Sequence, residues 1–178
     1  MRAGGNLVVL ERGHQEALEN FLREFDAQPD QLHGYFTPRD ASIDEAIEFL
    51  RAAADENRLP PGRVPASTWF WENRSTLQGV VNLRHRLTPE LEETGGHIGF
   101  SVAPSCRRQG IAGAMLAEAL GQAHMLGLDQ VGLTCDADNQ GSARTIEAGG
   151  GILVREDWCE ARQGRQRWYT IALPADAS

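Results

Sequence analysis

One stretch of the sequence, residues 97–113, joins a strand pattern directly to a sharp turn and a helix. Polar and apolar side chains alternate over residues 97–102, which predicts a strand with two unlike faces, and Pro104 ends it. From residue 111 to residue 126 Ala, Leu and Met predominate, and that composition predicts a helix. A strand, a turn and a helix in immediate succession favour a mixed fold of sheet and helices.

The rest of the chain supports this mixed arrangement. Apolar periodicity and the positions of Gly and Pro predict strands over 7–10, 67–72, 77–87, 131–135, 151–155 and 167–173, helices over 14–25, after 42 and over 142–148, and loops over 28–39, 59–65 and 88–95. Ser42 and Glu45 have the spacing of a capping box. Residues 72–75, between two of the predicted strands, have the pattern of a tight hairpin turn. Strands and helices do not alternate strictly, so we expect a single α/β (α+β) domain over residues 1–178, with a mixed, mostly antiparallel sheet and helices on both faces.

Composition narrows the possible functions. The chain carries 17 basic and 25 acidic side chains, and its net charge of −8 argues against a nucleic-acid binder, which needs a basic field. No apolar run reaches about 18 residues and the N-terminus lacks the pattern of a secretory signal, so we expect a cytoplasmic protein without a membrane partner. The three cysteines lie far apart without a CxxC pair, which predicts free thiols and no metal site.

The turn within residues 104–113 has the features of an anion-binding site. The first turn of a helix leaves backbone N–H groups unpaired at the positive end of the helix dipole, where a phosphate gains hydrogen bonds. Gly110, Ala112 and Gly113 leave room beside that backbone, and two arginines precede them. The pattern is neither GxxxxGK[ST] nor GxGxxG, which argues against a P-loop and a dinucleotide site. A small-residue helix start packed on a sheet is the alternative interpretation.

Two motifs resemble the GNAT superfamily of N-acetyltransferases. The first, [RQ]-x-x-G-x-[GA] after a strand that ends in Val-x-Pro, is matched by residues 102–104 and 107–112. The second, Asn-x-x-Ser followed by Glu-x-x-Gly, is matched by residues 139–142 and 147–150. With the order of predicted elements, the resemblance covers nearly the whole chain, which looks most like an uncharacterised bacterial branch of predicted acetyltransferases.

The resemblance implies that acetyl-CoA binds where two parallel strands, 97–102 and 131–135, splay apart. One strand would pair its backbone with the pantetheine arm, the following turn would hold the pyrophosphate, and residues after the other strand would lie beside the arm. The implied contacts are Phe100, Ser101 and Val102 for the arm, Arg107, Arg108, Gln109, Gly110, Ile111, Ala112 and Gly113 for the pyrophosphate, and Asn139 and Ser142 beside the arm.

Acyl transfer from a thioester to an amine requires a base, a donor to the thioester carbonyl and a proton for the departing thiolate. The backbone N–H of Val102 or its neighbour would donate a hydrogen bond to the thioester carbonyl oxygen. His97 stands where the family often has a Glu as the base, and His85 on the preceding strand is the second candidate; each could instead be a structural strand residue. The family often has a Tyr seven residues after the Asn as the acid, but this chain has Ile146 there.

These features predict an acetyl-CoA-dependent N-acetyltransferase that acts by direct transfer in a ternary complex. We expect its acceptor to be a primary amine of a small molecule, or of a peptide, and the resemblance implies that residues 28–39 and 59–65 border the acceptor pocket. Ile146 leaves open an alternative, a non-catalytic module that binds acetyl-CoA as a sensor. A pyrophosphate site for another nucleotide is a third interpretation. A homodimer is compatible with the resemblance, although no segment of the sequence indicates an interface.

Overall fold

The computed structural model describes residues 3–174, and its elements follow the predicted order with one added helix. The elements are β1 (Asn6–Val8), α1 (Gln15–Arg23), α2 (Ile43–Ala54), β2 (Ala66–Asn73), β3 (Thr76–Arg84), α3 (Pro89–Thr94), β4 (Ile98–Val102), α4 (Ile111–Met125), β5 (Gln130–Asp136), α5 (Gln140–Ala148), β6 (Ile152–Cys159) and β7 (Gly164–Ala172). The first two and last four residues of the expected domain lie outside the described range. No helix within residues 3–174 has the length and apolar character needed to cross a membrane.

The strands form two sheets whose ladders are all antiparallel. The first sheet has the order β1-β2-β3-β4 and the second the order β5-β7-β6. The sheets meet at a joint where Gly96 bridges Leu133 and the N–H of His97 donates to the carbonyl of Gly132 at 2.7 Å. Beyond this joint the described residues of β4 and β5 share no ladder. The mixed α/β fold is confirmed, and the expected cleft lies between these two strands.

The hairpin of β2 and β3 turns on two residues with a left-handed backbone. Asn73 pairs with Thr76, and the intervening Arg74 and Ser75 have φ angles of 49° and 62°. Two successive positive φ angles are typical of a type I′ turn, whose twist matches that of the flanking strands. The tight turn predicted at residues 72–75 is therefore confirmed.

Helices cover both faces of the first sheet, as the sequence predicts. The neighbouring β3 residues Val80 and Val81 are fully buried on opposite faces. Val80 packs in a core with residues of α1 and α2, whereas Val81 packs with residues of α4. The core around Val81 also contains Leu133 of β5 and Ile146 of α5, so one continuous core joins the first sheet and α4 to the second sheet and α5.

The helices α2 and α3 both begin at side-chain caps. Ser42 Oγ accepts from the N–H of Glu45 at 3.4 Å, and the Glu45 carboxylate accepts from the N–H of Ser42 at 2.8 Å, which confirms the capping box. The added helix α3 starts with Pro89, and Thr88 Oγ1 accepts from the N–H of Leu91. The predicted loop over residues 88–95 is wrong here because a helix of six residues is too short to show a periodic pattern.

The last hairpin is longer than the strands predicted over 151–155 and 167–173. β6 continues to Cys159 and β7 begins at Gly164. Across the added part, the Glu156 carboxylate accepts from Arg165 at 3.0 Å and from Arg167 at 2.8 Å. Such cross-strand ion pairs leave no apolar alternation in the sequence, so the hydrophobic pattern does not reveal this extension.

We expect Gly96→Ala to weaken the joint between the two sheets. Gly96 has a φ of +65°, and a Cβ there would lie 2.3 Å from the carbonyl oxygen of Gly132. Gly62→Ala is the matched control, because Gly62 has a φ of +82° and open space around the added carbon. Urea denaturation should show Gly96→Ala losing about 1–3 kcal/mol more of the free energy of unfolding than the control. Equal losses in the two variants would contradict a close backbone contact at the joint.

Candidate active site

A cavity opens between β4 and β5, beyond the joint that holds the two sheets together. The start of β4 and the loop of residues 28–39 line one side, and the end of β5 with the first turns of α5 line the other. The lining residues are Leu32, His33, Gly34, Phe36, Arg84, Thr94, Gly95, Ile98, Gly99, Phe100, Leu133, Thr134, Cys135, Asp136, Asn139, Ser142, Ile146, Arg162 and Gln166. Residues 59–65 contribute none of these, so one of the two loops expected at the acceptor pocket reaches it.

One edge of β4 faces the cleft. The pairing of β4 with β3 determines which backbone N–H and C=O groups lie on that edge. On the other edge, the N–H of Ala103 donates to the β3 carbonyl of Gln78 at 2.9 Å. Antiparallel strands bond at every second residue, so the backbone of Ser101 also faces β3. The N–H and C=O groups of Phe100 and Val102 therefore point toward the cleft, and those of Ser101 do not.

The side chains of Ser101 and Arg107 fasten the loop of residues 28–39 beside the cleft. Ser101 Oγ accepts from the N–H of His33 at 2.7 Å and donates to the carbonyl of Gln31 at 2.9 Å. Arg107 donates from Nε to the carbonyl of Val102 at 3.2 Å and from Nη2 to the side chain of Gln31 at 3.0 Å. Both side chains therefore position the loop that forms one wall of the cavity.

Six consecutive backbone N–H groups, in the turn that leads into α4, have no hydrogen-bond partner among the residues that the structure describes. They belong to Arg108, Gln109, Gly110, Ile111, Ala112 and Gly113. Arg108 and Gly110 turn the backbone into α4 with φ angles of +63° and +81°. A Cβ at Gly110 or Gly113 would meet no atom within 4 Å, so the space in front of the helix start is open. Free donors at the positive end of a helix form a site for an anion.

Asn139 and Ser142 lie at the start of α5, on the opposite wall of the cavity. Asn139 Oδ1 caps the helix by accepting from the N–H of Ser142 at 3.0 Å. Within the described residues the amide Nδ2 of Asn139 has no partner, so it can donate to a ligand. Ile146 is 1% exposed and gives this wall an apolar surface.

The two predicted general bases, His97 and His85, lie outside the lining of the cavity. His97 Nδ1 accepts from the N–H of Gly132 at 3.0 Å, which makes this side chain part of the joint. Burial, together with the charge of Arg84, lowers the pKa of His97. Nε2 of His85 lies 2.9 Å from Ser67 Oγ, and burial lowers the pKa of this imidazole as well. Neither histidine therefore lies in the cavity lining that contains Phe100, Asn139 and Ser142.

Ionisable side chains that no sequence motif marks lie in the cavity instead. Neither ring nitrogen of His33 has a hydrogen-bond partner among the described residues. Burial lowers the pKa of His33, and the charge of Arg162 lowers it further. Nη2 of Arg162 forms an ion pair with the Asp136 carboxylate at 3.9 Å, and this carboxylate accepts a hydrogen bond from Gln166. The sequence offers one signal for His33, its position in a loop expected to border the acceptor pocket.

Arg84 extends its guanidinium into the same cavity from the end of β3. Its Nη1 donates to the carbonyl of Gly96 at 2.7 Å, next to the joint. The guanidinium carbon lies 5.3 Å from the centre of the Phe36 ring, which also lines the cavity. The end of the cavity nearest the joint is therefore positively charged.

A comparison with protein families matches residues 8–151 to a model described as an acetyltransferase (GNAT) domain. None of the curated protein sequences that were compared matches the chain.

Solved structures of similar fold include three named acetyltransferases. The ribosomal-protein α-N-acetyltransferase RimL, in complex with coenzyme A, has a TM-score of 0.67 at 16% identity over 96% of this chain and 94% of its own. A mutant of the spermidine N-acetyltransferase SpeG from Vibrio cholerae has a TM-score of 0.62 at 18% identity over 94% of both chains. The self-immunity acetyltransferase MccE, in complex with acetyl-CoA and AMP, has a TM-score of 0.65 at 14% identity over 94% of this chain and 91% of its own. At these identities the likeness shows the fold alone.

We expect Cys135, which lines the cavity, to resist alkylation. Burial raises the pKa of its thiol to about 11, so at pH 8 about one molecule in a thousand carries the reactive thiolate. Cys106 is half-buried and serves as the internal control. Peptide mass spectrometry after treatment with iodoacetamide at pH 8 should detect modification of Cys106 well before that of Cys135. Faster modification of Cys135 would indicate a reactive thiol and revive a route through an acetyl-cysteine.

Proposed function

The chain belongs to the GNAT family of acetyltransferases, and we propose that it transfers the acetyl group of acetyl-CoA to a primary amine by direct transfer in a ternary complex. The matched model covers residues 8–151, which is most of the chain, and acetyl-CoA is the co-substrate of this family. The observation that carries the proposal is the row of six free N–H groups that follows the open edge of β4. This row suits the pyrophosphate of a coenzyme, and the adjacent cleft suits its extended arm.

In the proposed cofactor site, the pyrophosphate and the pantetheine arm bind to different segments of the chain. The pyrophosphate accepts hydrogen bonds from the N–H groups of residues 108–113. The pantetheine arm runs along the open edge of β4 and pairs with the backbone of Phe100 and Val102. From the opposite wall, Asn139 Nδ2 donates to the same arm. Ser101 takes no part in this pairing, because its backbone faces β3 and its hydroxyl holds the loop.

The reaction needs a neutral amine and a polarised thioester carbonyl. Phe100 lines the cavity and directs its N–H to the open edge, so we assign this N–H to the carbonyl oxygen. We assign His33 as the base, because it lines the cavity and its ring nitrogens are free. Its lowered pKa keeps the imidazole neutral, and therefore able to accept a proton, at pH 7. His97 does not fit this role, since its Nδ1 is engaged at the joint.

In the proposed transfer, the proton that leaves the amine ends on the sulfur of coenzyme A, and His33 carries it between them. The amine nitrogen attacks the thioester carbonyl carbon, and the proton that this nitrogen loses passes to His33. The C–S bond then breaks, the electron pair leaves with the sulfur of coenzyme A, and the resulting thiolate takes the proton back from His33.

One observation favours a second candidate function, a sensor that binds acetyl-CoA without turnover: Ile146 stands where the family often has an acid. Release of coenzyme A, followed with a thiol reagent on a panel of polyamines, aminoglycosides, amino acids and short peptides, separates the two functions. Release with any amine supports the enzyme. Tight binding of acetyl-CoA without release from any amine supports the sensor, and the absence of binding contradicts both.

We expect Gly113→Glu to weaken acetyl-CoA binding at least about tenfold, because it sets a carboxylate beside the pyrophosphate. Gly121→Glu is the matched control: both glycines are exposed on α4, and neither has an atom within 4 Å of an added Cβ. Glu is a better helix former than Gly, so neither variant should unfold more readily than the wild type. Calorimetry with acetyl-CoA should find the affinity of Gly121→Glu unchanged. Equal affinities in the two variants would reject the site at the start of α4.

We expect His33→Ala to lower kcat about 100-fold at pH 7 and to leave acetyl-CoA affinity unchanged. Because the pKa of His33 is lowered, the wild-type rate should fall only below the ordinary imidazole value of about 6.5, as the ring becomes protonated. This acidic limb of the pH–rate profile should disappear in His33→Ala and persist in His85→Ala, a histidine outside the cavity. A limb that persists in His33→Ala would show that another group is the base.

A further inference from the structure

We propose that the acceptor carries an oxyanion, a carboxylate or a phosphate, beside its amine, and that Arg84 binds this group in the cleft. This inference rests on the proposed acetyl transfer and adds the chemical class of the acceptor.

The guanidinium of Arg84 has donors that the protein itself leaves unused. Of its five N–H groups, one donates to the carbonyl of Gly96, and the others have no partner among the described residues. No carboxylate within residues 3–174 lies within 4.0 Å of this guanidinium. Partial burial lowers the pKa of Arg84, and no acidic neighbour offsets the effect. An anionic ligand would supply this partly desolvated cation with the counterion and the hydrogen-bond acceptors that the protein does not provide.

The surroundings of Arg84 hold the guanidinium in a fixed orientation. The Phe36 ring lies 5.3 Å from the guanidinium carbon, and a Cβ added at Gly95 would lie 3.2 Å from Nη1. Stacking on an aromatic face and packing on glycine backbone leave the donor edge of a planar group accessible. A fixed guanidinium fork matches the two oxygens of a carboxylate or phosphate.

The remaining charges in the cavity also favour an anion over a polyamine. Arg162 adds a second positive charge, and His33 is neutral at pH 7 because its pKa is lowered. Asp136 is the one carboxylate among the described residues that line the cavity, and it already lies 3.9 Å from Arg162 and accepts from Gln166, which leaves Arg84 as the uncompensated charge. A polyamine would need several free carboxylates, whereas this lining supplies an excess of positive charge.

The oxyanion at Arg84 belongs to the acceptor and not to the cofactor. Arg84 pairs with His97, directly before β4, whereas the free N–H groups begin at Arg108, after β4. The five residues of β4 alone separate these two ends by roughly 16 Å. Because we assign the pyrophosphate of acetyl-CoA to the far end, a second anion site at the near end suits the other substrate.

The test compares acceptors that differ only in charge, with the wild-type protein. The pairs are 4-aminobutyrate and 4-aminobutyramide, and leucine and leucinamide, with O-phosphoethanolamine and spermidine added. Each kcat/KM is expressed per neutral amine, so that differences in amine pKa do not enter. We expect each acid to exceed its amide by about 10- to 100-fold, the range typical of a hydrogen-bonded charge pair. Amides or spermidine equal to or better than the acids would overturn the proposal and leave acetyl transfer intact.

Variants of Arg84 test whether this residue causes the preference for acidic acceptors. Arg84→Gln should raise KM for the preferred acid about tenfold or more and leave KM for acetyl-CoA unchanged. Arg84→Lys keeps the charge and should retain part of the preference even if the glutamine variant folds poorly. Arg86→Gln is the matched control, because Arg86 pairs with Glu56 outside the cavity. A preference for acids that survives in Arg84→Gln would assign the anion to another group and overturn the proposal.

A further measurement separates failure of the two proposals. If acetyl-CoA binds but no amine is acetylated, proton-detected ligand NMR can compare how tightly 4-aminobutyrate and 4-aminobutyramide bind. The protein is saturated with coenzyme A in both measurements. Tighter binding of the acid would support the anion site while acetyl transfer fails, and equal binding would overturn the anion site.

Discussion

The site depends on the two hydrogen bonds with which His97 joins β4 to β5. Its N–H donates to the carbonyl of Gly132 and its Nδ1 accepts from the N–H of the same residue. Gly96 permits this close approach, since any side chain there would overlap the backbone of β5. Because the joint occupies only the start of β4, the strands separate beyond it and the backbone edge at Phe100 and Val102 stays open. The bond to Nδ1 engages the imidazole of His97, which is why our proposal gives proton transfer to His33 on another wall.

The cleft combines two positive ends with an apolar middle. Free N–H groups mark the end at α4, Arg84 marks the end near the joint, and Ile98 and Ile146 are among the apolar residues between them. The net charge of the whole chain, −8, does not predict this local field. At physiological ionic strength the Debye length is about 8 Å, so a bound group responds to the nearest charges and not to the distant acidic surface.

Local patterns in the sequence were enough to predict the features that depend on neighbouring residues. The capping box at Ser42, the turn at residues 72–75 and the free helix start after Gly110 each lie within a few residues. The unpredicted parts of the site depend on distant contacts. Ser101 and His33 are 68 residues apart in the chain, and the hydrogen bond between them is one of the distant contacts that bring the loop to the cleft. The pairing with β3 determines which backbone groups of β4 face the cleft. The pattern of side chains in the sequence does not show which groups these are.

The position of Ile146 is fixed by packing, and this bears on how the thiolate is protonated. A Cβ added at Gly151 would lie 2.5 Å from Ile146 Cγ2, so the adjacent turn closes tightly around a side chain of this size. The two tyrosines offer no substitute: neither Tyr35 nor Tyr169 lines the cavity, and burial raises the pKa of Tyr169 to about 12. In the proposed mechanism, His33 becomes an imidazolium when it takes the proton of the amine. Since its pKa is lowered, this imidazolium is a stronger acid than an exposed one, and the burial that keeps His33 neutral before attack also favours return of the proton to sulfur. One histidine then serves both halves of the transfer, and an apolar residue at position 146 is compatible with turnover.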